Sequence, residues 1–122
     1  MKTILIVEDN ALNRQLLEAI LDANHYDRLS VDNGSSAVEL AISKLPDLIL
    51  MDIHMVGIDG YTALTMIRAN DAAAKIPVIA ITGNATLDDR RRMITAGFDD
   101  IIKKPYTIDT VLDMISSILG TP

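Results

Sequence analysis

Residues 46–55 read Pro46-Asp47-Leu48-Ile49-Leu50-Met51-Asp52-Ile53-His54-Met55: a proline, four unbroken apolar residues, then a carboxylate. Proline stops a preceding helix, and a short continuous apolar run suits a strand buried on both faces, as in a parallel sheet covered by helices. Three more runs share this character: Ile4-Leu5-Ile6-Val7, Val78-Ile79-Ala80-Ile81 behind Pro77, and the brief Ile101-Ile102. A weaker alternating stretch from Tyr26 to Val31, with Leu29 and Val31 on one face, reads as an edge strand, second in chain order.

Between these runs the apolar period changes to that of amphipathic helices. Leu12, Leu16, Leu17, Ile20 and Leu21 form the first stripe, Ala37, Val38, Ala41, Ile42 and Leu45 the second, and Ala63, Leu64 and Ile67 the third. The last is the clearest, with Ile108, Val111, Leu112, Ile115, Ile118 and Leu119 following Thr107 as the capping residue. The fourth helix, near Thr86 to Ala96, has only Leu87, Met93 and Ile94, so it is expected to be loosely held. Met51, Met66, Met93 and Met114 fall on apolar stripes and read as core filler. Five βα units in succession predict an α/β fold: a doubly wound, five-stranded parallel sheet in the flavodoxin-like order 2-1-3-4-5, with five helices and right-handed crossovers. No linker interrupts the pattern, and residues 1–122 are expected to form one domain.

Composition narrows the function. The chain has 122 residues, 49% of them hydrophobic and 23% charged, enough to bury a core without staples. It has no cysteine, which excludes disulfides and thiolate metal sites or nucleophiles and fits the cytoplasm. No apolar run approaches the roughly 18 residues of a membrane span, and Met1-Lys2-Thr3 leads straight into a strand with no signal-peptide layout. A cytoplasmic protein without membrane insertion is expected. The formal charge of −6 disfavours nucleic acid as a partner. The one basic cluster, Arg90-Arg91-Arg92, reads as a solvated helix face with ion pairs such as Asp88 with Arg92.

Ligands of an open parallel sheet bind beyond the carboxyl ends of its strands, so the residues that end the strands carry the chemistry. Strand 1 ends in Glu8-Asp9, strand 3 in Asp52, strand 4 in Thr82, and strand 5 in Lys103-Lys104-Pro105. Each has a plainer reading alone: a helix start charged by Glu8, Asp9 and Asn10, a turn opened by Asp52, an ordinary strand-ending Thr82, a solvated Lys104. Four such coincidences at one edge favour a site. Clustered carboxylates repel, and a hard divalent cation relieves that repulsion. Magnesium takes oxygen ligands and is often held by one or two carboxylates plus a phosphate. Asp9 and Asp52 are the candidate direct ligands, Glu8 a water-mediated one, and the backbone carbonyl of His54 completes the set. A carboxylate there can attack phosphorus and form an acyl phosphate, with Lys104 and the Thr82 hydroxyl stabilising the transferred group. The His25 and His54 side chains lack zinc-site spacing and read as structural.

ILIVEDNALN at 4–13, PDLILMDIHM at 46–55, PVIAITGNA at 77–85 and AGFDDIIKKP at 96–105 together resemble the receiver domains of two-component response regulators, over essentially the whole chain. The resemblance implies Glu8 and Asp9 as the acidic pair, Asp52 as phosphoacceptor, Thr82 as switch hydroxyl, Lys104 as the conserved-type lysine, and a cis peptide at Lys104-Pro105. It implies Mg2+ or Mn2+ as cofactor and phosphotransfer from a histidine kinase or histidine phosphotransfer protein. It also implies a regulatory domain, not an enzyme, that assists its own phosphorylation and dephosphorylation. The sequence departs from the family at Val56, where proline is usual, at Gly83, where alanine is common, and at Ile101, where an aromatic residue often turns inward on activation. The chain stops soon after its fifth helix, so a stand-alone receiver is expected, read by a downstream protein through the face formed by the fourth helix, the fifth strand and the fifth helix. A phosphorelay intermediate, a phosphate sink, or a receiver excised from a hybrid kinase or multidomain regulator are the alternatives. An FMN-binding flavodoxin needs a phosphate loop where Glu8-Asp9 stands, and a phosphohydrolase needs a second carboxylate where His54 stands.

Overall fold

The computed structural model describes residues 1–120; Thr121 and Pro122, the last two of the expected domain, lie outside the described residues. The elements run β1 (Thr3–Val7), α1 (Ala11–Ala23), β2 (Asp27–Val31), α2 (Gly34–Lys44), β3 (Leu48–Asp52), α3 (Gly60–Arg68), β4 (Val78–Thr82), α4 (Leu87–Ala96), β5 (Asp100–Lys103) and α5 (Ile108–Leu119). The strands form one parallel sheet in the order β2-β1-β3-β4-β5, as the βα alternation predicts.

Because side chains alternate across a strand, each apolar run feeds two cores. Leu5, Val7, Ile49, Met51, Val78, Ala80 and Ile101 face α2, α3 and α4. Ile4, Ile6, Leu48, Leu50, Ile79, Ile81 and Ile102 face α1 and α5. All five residues of β3 and of β4 are buried, which is why their sequences show no polar alternation. Burying each such leucine or isoleucine contributes about 1.5–3 kcal/mol against the entropy of ordering the chain.

Side-chain oxygens cap the helices as the sequence suggests. Thr107 accepts from the Thr110 N–H at the head of α5, and Asn10 accepts from the Asn13 N–H at the head of α1.

Several stripe positions turn out differently. α1 buries Leu17, Ile20 and Leu21, while Leu12 is 76% and Leu16 47% exposed. At 3.6 residues per turn the latter two lie a quarter turn or more from the buried face. Ile42 of α2, Leu45 just beyond its end and Ile108 of α5 also face solvent, and Met66 of α3 is not core filler but exposed. In α4 only Met93 is buried; Leu87 and Ile94 are exposed, so its apolar anchorage is thinner than its sequence stripe. A capping box between Thr86 and Asp89 holds its first turn instead. Among the described residues Arg92 forms no ion pair with Asp88; its guanidinium lies 4.4 Å over the Tyr61 ring, which itself packs edge-on against Phe98.

Gly60 fixes how α3 meets the sheet. A Cβ there would sit 2.9 Å from the Ile53 Cα and 3.0 Å from the Asp52 carbonyl oxygen, and the Gly60 N–H donates to the Ile53 carbonyl. Without a side chain at this position, α3 can start directly against the end of β3.

Candidate functional site

The register brings four strand ends to one edge. Val7 pairs with Met51, Asp52 with Ile81, and Thr82 with Lys103, so Glu8, Asp52, Thr82 and Lys104 emerge side by side. Glu8, Asp52 and Thr82 are the polar or charged residues buried there, each under 5% exposed. The Lys104 ammonium donates to Asp52 Oδ2 at 2.9 Å and to Glu8 Oε1 at 3.2 Å, tying the segment just after β5 to the ends of β3 and β1 by charged hydrogen bonds. The peptide after it, Lys104-Pro105, is cis.

Oxygens of Glu8, Asp9 and Asp52 all come within 4.8 Å of one another. Asp52 Oδ1 accepts the His54 N–H at 3.1 Å, and the more exposed Asp9 accepts the Val56 N–H at 3.4 Å through Oδ2. Glu8 Oε2 is buried with no hydrogen-bond partner. An orphaned buried oxygen in a cluster of hard, anionic oxygen donors fits a divalent cation of the magnesium type.

The electrostatics say the same. Burial, and then the adjacent Asp52 carboxylate, push Glu8 up from 4.5 to about 7, against the pull of Lys104. For Asp52 burial also pushes upward, but the neighbouring Glu8 carboxyl, the hydrogen bond it accepts from Lys104, the lysine charge and the His54 N–H outweigh it and hold the carboxyl below its ordinary value. Burial lowers Lys104, yet its two carboxylate partners raise it further. The pocket thus favours the ionised form of Asp52 and raises the proton affinity of Glu8.

Thr82 sits at the same edge but is not joined to this cluster. Its hydroxyl accepts the Asn84 N–H at 3.0 Å and donates to the Asn84 carbonyl at 3.2 Å, closing a small turn after β4. The His54 side chain, expected to be structural, is exposed, with Nε2 3.5 Å from the Asn84 amide nitrogen. A small cleft between them is lined by Thr82, Asn84, His54, Tyr61, Arg92 and Met93.

Three neighbours escaped the sequence reading. Asn84 engages Thr82, as above. Tyr106, whose hydroxyl is raised by burial and then by the Glu8 charge, lines with Asn13, Leu16, Lys104 and Pro105 an open, mainly apolar cavity of about 340 Å³. Arg14 reaches back to the Glu8 carbonyl. The available signal was position: two residues after the threonine, two after the lysine, and one helical turn after the Asn10 that follows the acidic pair.

Comparison with known proteins agrees. Residues 4–116 match the family described as the response regulator receiver domain. The polar-differentiation response regulator DivK of Brucella anthropi is 36% identical over 119 residues, covering 98% of this chain and 97% of that protein, and DivK of Brucella ovis is 34% identical over the same span. Among solved structures, the receiver domain of the sensor histidine kinase PA1611 from Pseudomonas aeruginosa PAO1 superposes with a TM-score of 0.91 at 35% identity, covering 98% of each chain. That structure has a magnesium ion coordinated in its active-site cleft. The Vibrio cholerae chemotaxis protein CheY4, at 21% identity, shares the fold with a TM-score of 0.92, over 98% of this chain and 99% of its own. Matched to the family model from residue 4 to residue 116 and to DivK along nearly its full length, the chain belongs to the response regulator receiver domains, the phosphorylation-dependent switches of two-component signalling.

Proposed function

We propose that Asp52 is the phosphoacceptor of this receiver, taking a phosphoryl group from a phosphohistidine on a histidine kinase or histidine phosphotransfer protein. One observation carries the reading: a buried, ionised carboxylate at the end of β3, 2.9 Å from the Lys104 ammonium and clustered with Glu8 and Asp9. In the transfer an Asp52 oxygen bonds to phosphorus as the P–N bond to the donor imidazole breaks, its electron pair leaving with the nitrogen. Lys104 then pairs with a phosphoryl oxygen, and Thr82 exchanges its Asn84 partner for another. Hydrolysis of the acyl phosphate by water restores the carboxylate, so the domain assists both its loading and its own reset without being an enzyme for another substrate.

Asp9, Asp52 and the His54 carbonyl would hold magnesium or manganese directly, and Glu8 through water. A bound ion supplies charge that offsets the clustered carboxylates and the incoming phosphoryl group. Residues 1–122 act as one cytoplasmic unit on this reading; among the described residues no helix is long and apolar enough to cross a membrane. The downstream protein reads the α4-β5-α5 face, where thinly anchored α4 leaves Leu87, Arg90, Arg91 and Ile94 exposed.

The test is labelling with a small phosphodonor, followed by borohydride trapping and mass spectrometry. Label is expected on Asp52, only in the presence of a divalent cation. Undiminished labelling of Asp52→Asn would refute the assignment.

A further inference from the structure

Two of the pocket's carboxylates, Glu8 and Asp9, hang from the turn between β1 and α1, and the backbone of that turn is held by a side chain. The β1 ladder to both neighbours ends at Val7. Glu8, 2% exposed, is therefore the first residue whose carbonyl has no strand partner, although its N–H still donates to the Val31 carbonyl at 3.1 Å. A buried carbonyl left bare is costly, and it turns toward a donor or rearranges. Arg14 supplies the donor: its Nη1 lies 3.0 Å from the Glu8 carbonyl oxygen, in a partly buried contact.

Local structure explains the reach. Asn10 caps α1, and the Arg14 N–H donates to the Asn10 carbonyl at 2.9 Å, placing Arg14 in the first turn of the helix. Helical side chains tilt toward the N-terminus, so the guanidinium points back at the segment that carries Glu8 and Asp9. Among the described residues Arg14 makes no ion pair, and the charges that act on Glu8 are those of Asp52 and Lys104. Arg14 touches the backbone and leaves the carboxylates alone.

We infer that Arg14 is a positioning residue of the cation pocket: by gripping the Glu8 carbonyl it sets the β1–α1 turn, and with it the spacing of the Glu8 and Asp9 oxygens. The inference rests on the proposed reading of these residues as the magnesium site. Partners that orient ligands from behind commonly cost tenfold or more in metal affinity when removed.

The test is magnesium binding by isothermal titration calorimetry on the whole chain, for the unaltered protein, Arg14→Met and Arg14→Lys, each at roughly 50 and 500 mM potassium chloride. Thermal melts with chelator provide the stability control. Arg14→Met is expected to bind magnesium roughly tenfold more weakly at both salt concentrations, with Arg14→Lys recovering only part, since it keeps the charge but not the planar fork. Unchanged affinity in Arg14→Met, even with a lowered melting temperature, would reduce Arg14 to a structural contact and overturn the inference. A deficit that disappears in high salt, or full recovery by lysine, would assign the effect to charge and overturn it equally. If the unaltered chain itself binds no magnesium, the reading of the site fails first, and that outcome is distinct from the others.

Discussion

Replacing Glu8 by glutamine should make this protein more stable, not less. Glu8 is 2% exposed, one of its oxygens has no partner, and burial beside Asp52 raises its carboxyl from 4.5 to about 7. A group whose folded value is raised favours the protonated fold. Its penalty is absent below the unfolded value, grows as pH climbs from 4.5 to about 7, and is fully present above that. At 1.36 kcal/mol per unit, the penalty comes to about 3 kcal/mol at pH 8 and under about 1 kcal/mol at pH 5. Glutamine has nearly the same shape, keeps an oxygen for the Lys104 ammonium, and carries no charge to desolvate. Asp52 is held below its ordinary value, and Lys104 and Tyr106 are raised above theirs, so none of the three adds a slope within this window. The assay is urea and thermal unfolding of both proteins in chelator at pH 5 and pH 8. Glu8→Gln should melt about 10 °C higher at pH 8, at roughly 3–4 °C per kcal/mol for a domain of this size, and only a few degrees higher at pH 5. Equal stability at pH 8, or a gap independent of pH, would show that the ionised Glu8 is not the strained group inferred here.

Four other outcomes follow from the same geometry. Magnesium should bind somewhat more tightly as pH rises from 6 to 8, because the ionised form of Glu8 holds a water-bridged cation better than the protonated form, and calorimetry in buffers of differing ionisation enthalpy should register the proton released. Asp9→Asn should weaken magnesium far more than Glu8→Gln; equal affinities in a titration of the two variants would refute the division into direct and water-mediated ligands. Gly60→Ala should cost about 1–3 kcal/mol in urea unfolding, because the new methyl meets the Ile53 backbone and Asp52 carbonyl instead of a side chain that can swing aside. Thr82→Ala should still take a phosphoryl group on Asp52, yet show smaller amide shift changes across residues 84–106 on loading. Full-sized changes there would mean the signal bypasses Thr82.

Sheet and strand order were legible in the sequence because they rest on local quantities. Apolar runs such as Leu48–Met51 differ in period from the stripes of α3 and α5, and a βα alternation admits few topologies. The gathering of the candidate site residues was legible for a related reason: in a parallel sheet every strand points the same way, so the residues after each run must meet at one edge, and Glu8, Asp52, Thr82 and Lys104 do. What lay beyond the sequence depends on distances between elements. Leu12 and Leu16 share a helical stripe with Leu17, but where α1 sits on the sheet decides which are covered. Asp88 and Arg92 are spaced for an ion pair, yet an aromatic ring brought by α3 takes the guanidinium. Thr82 was read as a switch hydroxyl for the transferred phosphoryl group, and the turn after β4 occupies that hydroxyl with Asn84. The raised proton affinity of Glu8 and the grip of Arg14 on its carbonyl arise only when β1, β3, β5 and α1 converge, since desolvation and hydrogen bonding belong to the packed pocket and to no single segment of chain.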